Sequence, residues 1–230
     1  MTDQQPQSAA PPYASPSQGT VAAPTAAATD TARLLGQVMF LVAVAIGFLT
    51  LGAWVGQDLA FSTARIFGYV GFGMLIAAAF AGDRLRVGTF AVIWLYLVAL
   101  AIGLGLGPVL NQLITFNPDL VATAAGGTAL TVVIAGAAGF LVAKDLAPWM
   151  KPLSIVILIA AGVTLILTIA GSTISPAISL LIYGVSAALI LVDFNYLRKH
   201  GTEADAVWLA TGIFVSIVNI FLSLLNLLDN

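Results

Sequence analysis

The chain has 230 residues, of which 60% are hydrophobic and 8% charged, with a formal net charge of −2 and no cysteine. A soluble domain carries about 25% charged residues because its surface faces water, so this composition excludes a soluble enzyme and makes lipid the main solvent. The charge balance points to no nucleic acid, and the missing cysteine excludes disulfides, thiolate metal sites and cysteine nucleophiles.

Residues 1–31 are rich in Ala, Pro, Gln, Ser and Thr, and the first basic residue is Arg33. A secretory signal needs a basic start followed by an apolar core. This stretch has neither, and it cannot bury enough apolar surface to offset its ordering entropy. It is expected to be a disordered tail preceding a membrane domain over 32–230.

Seven apolar segments follow, near 34–57, 61–81, 87–107, 120–143, 152–171, 175–197 and 206–228. At ~1.5 Å rise per residue each can cross the ~30 Å hydrocarbon core. The expected fold is therefore an all-α membrane protein of seven spans. With the N-terminus placed inside, Arg33, Arg84, Arg86, Lys144, Lys151, Arg198 and Lys199 fall on the inner side, and of the 8 basic residues only Arg65 falls outside. This bias predicts a cytoplasmic N-terminus in the cell's inner (plasma) membrane.

Within the spans, Gly68, Gly71 and Gly73 lie in the second, and Gly103, Gly105 and Gly107 end the third. Ala135 and Gly139 form a small-xxx-small pair in the fourth. Small residues let helix backbones approach closely in lipid, so packing is the expected role of all of them.

Asp193 is the most informative residue. It lies in the sixth span, five residues before Arg198, which is about 7 Å along a helix. An ionised Asp at the centre of a span costs ~2.5–3.5 kcal/mol, and its side chain is too short to reach far toward water. It is expected to face the bundle interior, water or a cation. Ser179, Ser186 and Asp193 recur every seven residues and so share a face. In the seventh span Ser216, Asn219, Ser223 and Asn226 form a stripe that Gly212 extends by one turn. Two amides in one span are expected to turn inward. His200 is expected to be solvated or to face headgroups, Asp145 to cap a helix, and Trp94 and Tyr96 to pack. No spacing for a metal site, catalytic triad or intramembrane Asp diad is present, so no catalytic residue, metal or cofactor is expected.

The C-terminal third resembles the Bax-inhibitor family, the transmembrane BAX inhibitor motif proteins and their bacterial relatives. The similarity rests on Asp193-Phe194-Asn195-Tyr196-Leu197, then Glu203, Asp205 and Ala206, then Val218-Asn219-Ile220-Phe221 and Leu224-Leu225. Lys144-Asp145-Leu146 resembles the family's turn after span four. Leu106-Gly107-Pro108 followed by Ala125, Gly126 and Thr128 resembles its third-to-fourth span region. The resemblance covers roughly residues 34–228 and implies a bundle with the seventh helix at the centre, surrounded by the other six. It also implies a pH-sensitive calcium leak, with calcium as the transported ion, in which two Asp residues on the last two spans share a proton. Asp193 matches the first; the second position is Ser216, so any pH response should be shallower than with both acids. Asp193, Ser216 and Asn219 become the candidate ion or proton pathway. Arg84 and Arg86, which follow span two on the same side, become candidate latch partners of Asp193. The alternative is a non-conducting regulator that binds protein partners such as a membrane protease.

Overall fold

The computed structural model describes residues 26–80, 87–169 and 174–229. Among them are seven long helices: α1 (Ala26–Gly56), α2 (Phe61–Phe80), α3 (Gly88–Phe116), α4 (Pro118–Leu141), α5 (Ala147–Ile169), α6 (Pro176–Lys199) and α7 (Ala206–Asp229). A 3-10 turn, Glu203–Asp205, leads into α7. All seven are long and apolar enough to cross a membrane, and a helical span satisfies its own backbone polar groups in lipid. A lipid bilayer is their environment.

Three boundaries differ from the sequence reading for identifiable reasons. The first helix begins at Ala26, inside the stretch expected to be disordered, because its Ala-rich start has high helix propensity. The third does not stop at Gly107 but runs through Pro108 to Phe116. Proline costs the helix one backbone donor, which the good helix formers that follow, such as Leu110, Gln112 and Leu113, can outweigh. The fifth begins at Ala147 rather than 152. Asp145 Oδ1 accepts a hydrogen bond from Ala147 N at 3.0 Å, capping the first turn.

Close packing follows the small residues. On α3, Gly103 and Gly107 are one turn apart and share a face, whereas Gly105 points about 200° away. The first two meet α1: a Cβ at Gly107 would stand 2.7 Å from Ala53 O, and one at Gly103 would collide with Leu49 O. Gly105 instead meets α2, where a Cβ would stand 2.7 Å from Gly68 N. One GxGxG run thus seats two neighbours on opposite sides of α3. On α4, Gly139 lies against α6, its missing Cβ making room for Asn195 N and the Phe194 side chain. The aromatic residues pack as expected, with Tyr96 stacked on Phe48 (centroids 5.0 Å apart). Trp94 Nε1 also donates to Met74 O at 3.3 Å.

Helix α7 is the innermost, with 50% of its span buried against 11% for α2 and for α5. It packs on α1, α3, α4 and α6. The other two helices do not enclose it. The second rests chiefly on α3 and the fifth chiefly on α6, so a cleft is left between them with α6 and α7 as its floor.

Candidate functional site

The polar stripe of α7 is the floor of that cleft. At one end a cavity of about 420 Å³ is lined by Asp193, Gly212, Ser216 and Asn219, with Phe72 of α2 and Met150 and Ser154 of α5 on its walls. A second cavity of about 330 Å³ continues from it, sharing Phe72, Ile157, Ala161 and Asn219, and is lined further along by Ser179, Ser223, Asn226 and Arg65. Every member of the predicted α7 stripe lines one or the other. So does Asp193, which leaves the inward α6 face of Ser179, Ser186 and Asp193 buried at 3%, 0% and 5% exposure.

Asp193 has no hydrogen bond or ion pair among the described residues. Its carboxylate lies against the α7 backbone, where a Cβ at Gly212 would stand 3.2 Å from Oδ2. A side chain at 212 would crowd the acid, which would have to shift by a few tenths of an ångström. Ser216, 3% exposed, lines the same cavity, yet no hydrogen bond joins the two. A buried acid is costly in an apolar bundle, so its face toward a cavity is the feature that asks for explanation. The candidate latch residues Arg84 and Arg86 lie outside the described residues. At the far end, Ser179 Oγ donates to Asn226 Oδ1 at 2.8 Å, fastening α6 to α7. No cluster of three or more metal-binding side chains occurs among the described residues.

Two residues on from Asp193, and so on the opposite face of α6, a second construction was not foreseen from the sequence. Asn195 is fully buried and holds the α4–α5 turn. Its Oδ1 accepts from Leu146 N at 3.0 Å, and its Nδ2 donates to Gly139 O at 3.2 Å and Val142 O at 3.0 Å. Arg198 donates to Val142 O at 2.7 Å, and Lys199 to Ala143 O. His200 is exposed, as expected, and its Nε2 also lies 2.8 Å from Asp145 Oδ2. The last turn of α6 is thus a row of side chains clasping the turn that launches α5. A buried Asn beside a Gly in the neighbouring span is the available sequence signal, but its partners are backbone groups, which no residue pattern marks. Across the bundle end, Arg33 and Glu203 pair at 3.3 Å, largely exposed, and exposed pairs of this kind contribute little.

The sequence pattern of the family described as "Inhibitor of apoptosis-promoting Bax1" matches residues 31–230. The chain belongs to the Bax-inhibitor family. Comparison with curated proteins found no match. The Bax-inhibitor match takes in all seven helices, from the first to the last, together with the cleft, the clasp and the α7 stripe. The family is one of non-enzymatic membrane proteins.

The clasp makes a pH prediction. The hydrogen bond from Ala147 N, followed by that with His200, holds the Asp145 carboxyl below its usual range. A depressed carboxyl contributes stability that is present above its unfolded value, about 3.9, and is lost as pH falls through its lower folded value. Asp145→Ala should therefore melt below the wild type from pH 5 to pH 6, and the gap should close as pH falls below about 3.9. Thermal melts of both proteins in detergent across that range provide the check. A gap that stays constant to pH 3 would show that the carboxylate contributes no charge-dependent stability.

Proposed function

We propose that this chain is a cation leak channel of the Bax-inhibitor type, with calcium as the transported ion and Asp193 as the cation-facing group. The observation that carries the reading is a buried carboxylate, with no hydrogen-bonding or basic partner among the described residues, facing a cleft whose floor is the polar stripe of the innermost helix. Intramembrane acids mark ion or proton pathways more often than they serve packing. Asn219, shared by both cavities, and Ser216 supply hydroxyl and amide oxygens along the way. Purified protein in liposomes loaded with a calcium indicator tests this directly: calcium should enter faster than into protein-free liposomes. Equal rates would leave the non-conducting reading, a regulator of partner proteins, in its place.

The proposed setting is the plasma membrane, with the N-terminus and the basic end of the bundle cytoplasmic. The distribution of Lys and Arg supports it. The absence of native cysteine makes single-cysteine labelling clean. A cysteine at Asp145 should react with an impermeant maleimide only after the cells are opened, and one at Asp58 in intact cells. The reverse pattern would invert the topology.

A further inference from the structure

We propose that the wider half of the cleft is a binding site for an amphiphilic organic monocation, an ammonium head carrying an apolar chain or ring, which enters from the flank between α2 and α5. This goes beyond the leak reading, because it requires only the cleft and its carboxylate and not conduction.

Charge is the first argument. Asp193 is 5% exposed, has no basic or hydrogen-bonding partner among the described residues, and is turned toward a cavity of about 420 Å³. That volume lies within the range of pockets for small organic ligands. A resident divalent ion would need six or more oxygen ligands. Among the described residues the cavity offers one carboxylate, with only scattered hydroxyls and an amide to supplement it. A single positive charge balances that carboxylate instead.

The walls are the second argument. Away from Asp193 they are apolar and aromatic: Phe72 and Phe80 from α2, Leu158 from α5 and Trp208 from α7. Trp208 is held edge-on against Tyr196, with ring centroids 5.6 Å apart, so its position does not depend on an occupant. Aromatic faces attract ammonium groups, while the rest of the wall suits a chain of methylenes. A small hydrated inorganic cation would leave those walls unused.

The direction of approach is the third. The two outer wall helices pack chiefly on α3 and α6 rather than on each other. These two walls are the least buried of the seven spans, and an amphiphile concentrates in the lipid around such helices.

The test uses the full chain in phosphatidylcholine nanodiscs and a dodecyltrimethylammonium ion brominated at its chain end, which quenches tryptophan on contact. Quenching should contain a saturable component that disappears in Trp208→Phe, leaving Trp54, Trp94 and Trp149 as background. Affinity should fall about tenfold or more in Asp193→Asn, the loss of one charge-assisted contact. It should fall comparably in Ala161→Phe, which fills the cleft and keeps the acid, so that the result does not hang on one variant's folding. The same brominated chain ending in a hydroxyl should show no saturable component. The proposal is overturned if wild type shows none with the ammonium, if both variants bind it as well as wild type, or if the alcohol binds equally well, which would make the cleft a seat for a lipid chain alone. Binding intact in a protein that passes no ions supports this site and sinks the leak; flux intact with no saturable binding does the opposite.

Discussion

Replacing Gly103 by alanine should destabilise the bundle by about 3 kcal/mol, the upper end of what overpacking costs. A single methyl there has no flexible neighbour to displace. It meets the backbone of α1 at Leu49 and Ala53, so two helices must separate along their length. Gly126 is the control. It lies in α4 with nothing within 4 Å of an added Cβ, and alanine is the better helix former, so Gly126→Ala should be neutral or slightly stabilising. Thermal midpoints of the two variants in the same detergent decide the matter. If they coincide, close approach at Gly103 is not what holds α1 to α3.

Replacing Asp193 by asparagine should lower cation flux about tenfold, the smaller end of what a focused charge does to local ion concentration. Asparagine keeps the size and removes only the charge. Selectivity is the sharper readout. In a salt gradient the wild type should show a reversal potential displaced toward the cation value, and Asp193→Asn should move toward zero. Unchanged flux and unchanged selectivity together would remove Asp193 from the pathway. Ser216→Asp extends the argument. It places a second carboxylate on the lining of the same cavity, where two acids titrate as a pair. Flux in that variant should acquire a steeper dependence on pH between 5 and 8 than wild type shows.

The fold was legible wherever the signal was periodic. Apolar runs set apart by charge and turn residues marked all seven helices. The three- and four-residue spacing of Ser216, Asn219, Ser223 and Asn226 marked the face of α7 that turns inward. Heptad spacing did the same for Asp193, which the structure leaves buried as expected. Signals of a different kind misled or were missing. Pro108 and Gly107 read as a stop because each disfavours helix locally, but a long apolar run and packing against α1 outweigh them. Asn195 carried no visible role because its partners are the backbone groups of Gly139, Val142 and Leu146, which look alike in any sequence. His200 and Asp145 are 55 residues apart, and only the return of α6 to the α4–α5 turn makes them neighbours. The cleft was the least legible feature. It exists because α2 and α5 have other helices to rest on, a property of what they do not touch.

The outer walls of the cleft are the two least buried helices, and they lean on the rest of the bundle from one side only. On the other side their support is hydrocarbon. Their separation is therefore a balance between protein contacts and the sideways push of the surrounding acyl chains. Of the two walls, α2 is fastened to α3 where Gly105 meets Gly68, so α5, which rests chiefly on α6, is the less braced of the pair.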